Sequence, residues 1–142
     1  MWYYKGYAFT PEQIEDYEGF VYQITNLSNH MKYIGKKNFH KSKTFQKNKK
    51  KKKTRVESDW QNYYGSCKEL QEDFEKLGPT QFYRQIIHLC KSKSEMNYLE
   101  LREQMMHDVV LSSSYYNSFV GTRVHRKHLD KNRERILSLI TN

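Results

Sequence analysis

The chain has 142 residues, of which 37% are hydrophobic and 29% charged, and a formal net charge of +9. That length suits one domain with a modest core, and no apolar run approaches the ~18 residues of a transmembrane helix. The N-terminus, Met1-Trp2-Tyr3-Tyr4-Lys5, lacks a signal-peptide apolar stretch, and Cys67 and Cys90 form no CxxC, so a reducing cytoplasm is the expected setting and a cysteine zinc site is not expected.

Thr10-Pro11-Glu12-Gln13 is a helix start, with a threonine cap, proline at the first helical position and glutamine at the capping-box position. That helix is short and ends before Gly19. Gly19-Phe20-Val21-Tyr22-Gln23-Ile24 and Lys32-Tyr33-Ile34-Gly35 then predict strands over about 19–25 and 31–36, joined by the turn residues Asn26-Leu27-Ser28-Asn29-His30. In a hairpin with a two-residue loop, opposed residues share a face and their numbers sum to an odd value. Tyr22 and Tyr33 meet that condition, so both phenols are expected on one face.

Residues 37–58 have no apolar periodicity and read as a loop or irregular insertion. Within them, 41–55 holds nine basic residues (Lys41, Lys43, Lys47, Lys49, Lys50, Lys51, Lys52, Lys53 and Arg55) and no acidic one. Residues 1–40 balance four basic against four acidic, 56–120 hold six against ten, and 121–142 six against two. A like-charge block is normally disordered in isolation. Its expected role is a flexible arm that neutralises phosphates, with a solvated loop or a targeting signal as the alternatives.

Ser66-Cys67-Lys68-Glu69 is a second capping box, and Cys67, Leu70, Phe74 and Leu77 recur at helical spacing until Gly78-Pro79. Gln81 to Cys90 predicts a buried strand. Ser94 is expected to cap a helix to about Leu111, and a last helix is expected from about Asp130 to Ile140. The resulting fold class is α/β (α+β), a small three-stranded antiparallel sheet flanked by helices. Residues 1–120 form one domain with a basic insertion at 37–65, and 121–142 a basic tail.

On the helix after the third strand, Met96, Leu99, Leu101, Met105, Met106, Val109 and Val110 form a continuous apolar arc that, with Tyr98 at zero, runs from roughly 300° through 0° to 160°. Glu103 falls inside it and Glu100 just outside. A buried carboxylate needs a partner, for which a metal ion is one candidate; the alternative is a rim position with the head group in water. Arg102, also inside the arc, would pair with an acid or a backbone carbonyl. His88 and His107 read as structural, His40 as a loop residue within phosphate reach, and His125 and His128 as part of the basic tail.

This order of motifs resembles the GIY-YIG nuclease family, with Phe20-Val21-Tyr22 in the first slot and Tyr33-Ile34-Gly35 in the second. The segments Ser66 to Gly78 and Phe82 to Ile87 are similar to the family's next helix and strand. Leu99-Glu100-Leu101-Arg102-Glu103-Gln104 looks like its late helix, and Tyr116-Asn117 fits its closing motif. The insertion Glu57 to Ser66 is similar to phage-encoded, homing-type (Seg-like) members.

The resemblance implies a metal-dependent DNA endonuclease that nicks or cuts both strands with one Mg²⁺ (or Mn²⁺) per active site. Its expected origin is a phage or mobile element, its setting the host-cell cytoplasm, and a homodimer or partner protein would serve double-strand cutting. By position Glu103 would hold the metal, with Glu100 as runner-up. Tyr22 would act as general base or position the water, Tyr33 would order the phosphate or the base, and Asn117 would brace the site. A phenol of pKa about 10 serves as a base near neutrality only if cations lower it.

The family's arginine after the second motif is missing. Its spacing lands near Lys43, and the nearest arginine is Arg55, with Lys36 and Lys37 as additional candidates. Nucleic-acid contacts are expected from Lys36, Lys37, His40, Lys41, Lys47, Lys49, Lys50, Lys51, Lys52 and Lys53, and from Arg123, Arg126 and Lys127 in the tail. The missing arginine supports a second reading, a nucleic-acid-binding protein that keeps the fold without cutting. A third is an adaptor that grips acidic protein partners through the lysine block.

Overall fold

The computed structural model describes residues 1–121 and 126–140. In chain order the elements are β1 (Trp2–Tyr4), β2 (Tyr7–Ala8), β3 (Gly19–Asn26), β4 (Lys32–Asn38), β5 (His40–Lys47), β6 (Lys50–Glu57), α1 (Lys68–Leu77), β7 (Phe82–Cys90), α2 (Lys93–Met106), α3 (Arg126–Leu129) and α4 (Arg133–Ile140). No described helix is long and apolar enough to cross a membrane.

The mixed α+β class holds, but the main sheet has five strands rather than three, in the order β2-β1-β7-β3-β4. The added strands come from the N-terminus. Trp2–Tyr4 lies parallel to β7, and Tyr7–Ala8 turns back on it antiparallel. Three residues are too few to display an alternating pattern, so β1 escapes a periodicity test. The basic insertion also forms strands: β5 and β6 make a separate two-stranded sheet where a loop was expected. Its residues are almost all exposed, so no apolar alternation marks it.

The central hairpin forms with the expected parity. Tyr22 pairs with Gly35 and Tyr33 with Ile24. The connection is longer than two residues, with the Asn26 amide donating to the Met31 carbonyl at 2.8 Å. The intervening residues, 27–30, are even in number, which preserves the odd sum and keeps both tyrosines on one face.

Strand β3 separates two cores. Phe20, Tyr22 and Ile24 enter an aromatic cluster with Trp2, Phe39 and Trp60. Val21 points the other way, to Ile34, Cys90, Met96 and Val109 beside α2. Each large apolar side chain so buried contributes roughly 1.5–3 kcal/mol. Gly19 is needed at the seam, because a Cβ there would lie 2.6 Å from the Met96 Sδ and 2.5 Å from the Lys37 carbonyl oxygen.

Several element boundaries shift. The first helix is a single 3-10 turn, Pro11–Ile14, in which Gln13 Oε1 accepts from the Thr10 amide at 2.8 Å. Cys67, not Ser66, precedes α1, and no side chain caps it. Ser92, not Ser94, caps α2 by accepting from the Glu95 amide. Helix α2 stops at Met106 instead of Leu111. Val109 and Val110 are therefore buried beyond the helix, and Tyr98, which lies within the predicted arc, is 68% exposed.

Strand β4 is the edge of the sheet; on its free side the 114–116 backbone bridges to Lys32, and side chains cover Ile34. Asn117 Oδ1 accepts from the Ile34 amide at 3.1 Å and its Nδ2 donates to the Ile34 carbonyl at 2.8 Å. Gln104 Nε2 donates to the same carbonyl at 3.1 Å. Asn117 is 3% exposed, so its loss would leave the buried Ile34 amide unpaired and its carbonyl with Gln104 alone. Asn117→Ala is expected to lower unfolding free energy by about 2 kcal/mol in a urea titration. A loss below about 0.5 kcal/mol would place the two bonds outside the folded ensemble.

Candidate active site

The site follows from one crossing. The Tyr22 phenol passes over β4 at Gly35, where a Cβ would lie 2.5 Å from its hydroxyl oxygen and 2.9 Å from Tyr33 Cε1. Only a residue without a side chain fits between the two rings, whose centroids are 6.1 Å apart. The Tyr22 side chain, rooted on the central strand, thereby takes part in a cleft at the sheet edge.

That cleft has a volume of about 790 Å³. Tyr22, Tyr33, Ser66 and Cys67 form one side, and Lys36, Glu100, Gln104 and Asn117 meet them. Side chains rooted on opposite faces of the sheet converge here because β4 has no further strand beyond it.

Burial decides the protonation of the phenols. Tyr22 is 1% exposed, and desolvation, then the neighbouring Tyr33 and Tyr63, push its pKa well above the ordinary value. Tyr33 is pushed up to about 12 by burial, opposed by its hydrogen bond with Ser66. Desolvation therefore outweighs any lowering by cations, and both phenols keep their protons near neutrality.

Glu100 lies beside the phenols. Burial raises its pKa, and Lys36 counters that. The Lys36 ammonium stands 3.8 Å from Glu100 Oε1 and is hydrogen-bonded to Asn97 Oδ1. Glu103 is elsewhere. Its Oε1 meets His88 Nε2 at 2.8 Å and its Oε2 lies 3.7 Å from His107 Nδ1. Glu103 does not line the cleft among the described residues. The partner that a buried Glu103 requires is thus supplied by His88, while His107 Nδ1 bonds the Glu103 carbonyl at 2.8 Å, and the runner-up carboxylate faces the phenols.

The cations divide in the same way. Lys36 lines the cleft. Lys37 is 2.6 Å from Asp59 Oδ1 and 4.1 Å from the Tyr63 ring. With His40 and Lys41 these two line an adjoining cavity of about 310 Å³. Lys43 does not reach the cleft, since it lies in β5 opposite Thr54. Arg55 is tied to Glu18 at 3.2 Å and to His40 Nδ1 at 3.3 Å. Lys47 and Lys49 to Lys53 are exposed on the hairpin or its turn.

In the tail, Arg126 turns inward and donates to the carbonyls of Val109, Ser112, Tyr115 and Asn117. That clamps the chain on either side of the Tyr116-Asn117 motif, where a nucleic-acid contact was expected. Lys127 is exposed. Arg123 and His125 lie outside the described residues, as does the His128 side chain.

Tyr63 was missed. It hydrogen-bonds with Tyr22, and its carbonyl accepts from Arg84 at 2.8 Å. Arg84 is 2% exposed and stacks on Trp2 and Tyr64, which fixes this segment against the sheet. Nothing in Asn62-Tyr63-Tyr64-Gly65 marks one tyrosine over the other; only the fold brings Tyr63 to Tyr22. Gln104 was missed for the same reason, and its Oε1 is buried without a hydrogen-bond partner.

A family model described as "Putative endonuclease segE, GIY-YIG domain" matches residues 2–120. The chain belongs to the GIY-YIG endonuclease family, and within it to the Seg type. This makes it a nuclease domain, for which DNA is the implied substrate. No curated protein and no solved structure matches the chain.

Because the Ser66 bond favours the ionised form of Tyr33, Ser66→Ala is expected to move the Tyr33 pKa further up from about 12. Tyrosine ring-carbon NMR titration reads this directly. Ionisation of Tyr33 below about pH 10 would contradict the burial argument.

Proposed function

We propose that the cleft over β4 hydrolyses DNA phosphodiester bonds with the aid of one divalent metal ion, Mg²⁺ or Mn²⁺. The observation that carries this reading is the convergence of Tyr22, Tyr33, Lys36 and Glu100 on one cleft beside Gly35.

The donors suit a hard cation. Glu100 is a largely buried carboxylate that its lysine compensates only in part, since its pKa remains raised. One helical turn away, the buried Gln104 Oε1 has no partner. Mg²⁺ is commonly held by one or two carboxylates together with substrate phosphate oxygens and water. Glu100 would hold the ion, with Gln104 Oε1 as the second oxygen of the wall. When bound, the ion supplies Lewis-acid stabilisation of charge on the leaving 3′ oxygen.

The chain's own groups do the rest. Lys36 supplies positive charge to the phosphate in place of the missing arginine, as a compact point charge rather than a bidentate fork. The two protonated phenols act as hydrogen-bond groups. Tyr22 orients the attacking water, and Tyr33 orients a phosphate oxygen. At pH 7 a phenol with a pKa above 10 is ionised in fewer than about one molecule in a thousand, so Tyr22 positions the water rather than deprotonating it as a standing phenolate. Asn117 fixes the strand that carries Tyr33 and Gly35.

The second reading, DNA binding without cutting, draws on one observation: among the described residues no arginine lines the cleft. Mg²⁺-dependent conversion of supercoiled plasmid separates the two, and absence of any product would favour the binding module.

Glu100→Gln is expected to slow that conversion by about 100–1000-fold. Burial raises the Glu100 pKa, so the folded state binds this proton more tightly than the unfolded chain, and the stability tied to it is lost as pH rises through the folded pKa. Removing the charge should therefore leave the unfolding midpoint at pH 7 unchanged or higher. Glu103→Gln is expected to lower the midpoint through its histidine contacts while cutting persists. The reverse pattern would return the metal to Glu103.

A further inference from the structure

The basic insertion is a ribbon with two different faces. Strands β5 and β6 pair from His40 opposite Glu57 to Lys47 opposite Lys50. Asn48 and Lys49 close the ribbon with φ of 53° and 62°, the backbone of a type I′ hairpin turn. Alternation sorts the side chains. Lys41, Lys43, Phe45, Lys47, Lys50, Lys52, Thr54 and Val56 share one face. His40, Ser42, Thr44, Gln46, Lys51, Lys53, Arg55 and Glu57 share the other.

The first face carries no acid, and Phe45, 41% exposed, sits among its lysines. The second includes Glu57, and its arginine is paired with Glu18. The root of the ribbon reaches the cavity beside the cleft, where Lys41 of the lysine face and His40 of the other join Lys36 and Lys37. An isolated two-stranded ribbon is marginal in water, and like charges placed opposite each other, as at Lys47 and Lys50, weaken it further. A polyanion supplies the missing compensation. From root to turn the ribbon spans about 24 Å, roughly seven base-pair steps. The B-DNA major groove, about 12 Å wide, admits a two-stranded ribbon.

We propose that the β5–β6 ribbon grips duplex DNA by lying in the major groove with its lysine face inward. Lys41, Lys43, Lys47, Lys50 and Lys52 reach phosphates on the groove walls, and Phe45 meets the base edges between them. This rests on the DNA-substrate reading of the domain and adds the form of DNA and the contacting face.

Two double variants of the full chain test it, Lys50→Ser with Lys52→Ser and Lys51→Ser with Lys53→Ser. Both remove two positive charges from the same strand, on alternate faces. Binding to a short duplex is followed by fluorescence anisotropy in EDTA across a salt series, so a failed Glu100 assignment leaves the comparison intact. The first pair is expected to lose about 30-fold in affinity at ~0.15 M salt and to flatten the log–log slope by about 2, the second less than about threefold. Equal losses from the two pairs would mean a polycation without a preferred face and would overturn the proposal. Tighter binding by the parent chain to the corresponding single strand than to the duplex would overturn it as well.

Discussion

The cleft depends on a steric permission: Gly35 lets the Tyr22 ring cross the edge strand. Its phenol could not occupy that space if β4 carried a Cβ at the point of crossing. The two rings then enclose the strand where the sheet ends, and the helix α2 approaches the same edge with Glu100 and Gln104. The edge stays open at this point because the backbone bridge from Tyr115 ends at Lys32 and the Ile34 groups beyond it are covered by side chains rather than by another strand. Asn117 and Gln104 satisfy the polar groups of Ile34 and leave the neighbouring positions to face the cleft. A sixth strand would satisfy the same backbone groups and close the cleft.

Burial sets the electrostatics of that edge. It raises the phenols and Glu100 together, so the cleft holds neutral phenols and a carboxylate that is costly to ionise. Such a carboxylate gains from a bound cation, and a neutral phenol gains from an acceptor oxygen. A metal-bearing phosphate, the proposed occupant, would meet both demands. Glu103 shows the contrasting solution on the same helix, where His88 hydrogen-bonds its carboxylate internally. Arg126, bound to four carbonyls, spends its charge in the same way.

Much was legible in the sequence. The central hairpin, its tyrosine parity, α1 and β7 follow from local alternation, helical spacing and turn residues, and the ordered motifs point to the family. Other elements were hidden for identifiable reasons. β1 and β2 are too short to display a period. β5 and β6 are held by backbone pairing without a buried side, so the lysine block shows composition but no alternation. The helical arc around Tyr98 misled because it assumed that Val109 and Val110 continue α2, and helix termination after Met106 rotated the inferred face.

The sequence by itself determined which strand pair carries the tyrosines and that both face one way, because pairing parity is a local property. It also determined the excess of positive charge directly after that pair. Only the tertiary structure decided between Glu100 and Glu103, and between Lys36, Lys43 and Arg55, as the groups beside the phenols. Those choices depend on where a helix ends, how it crosses the sheet edge and which charges are already paired. They are long-range facts of packing, and no spacing along the chain encodes them.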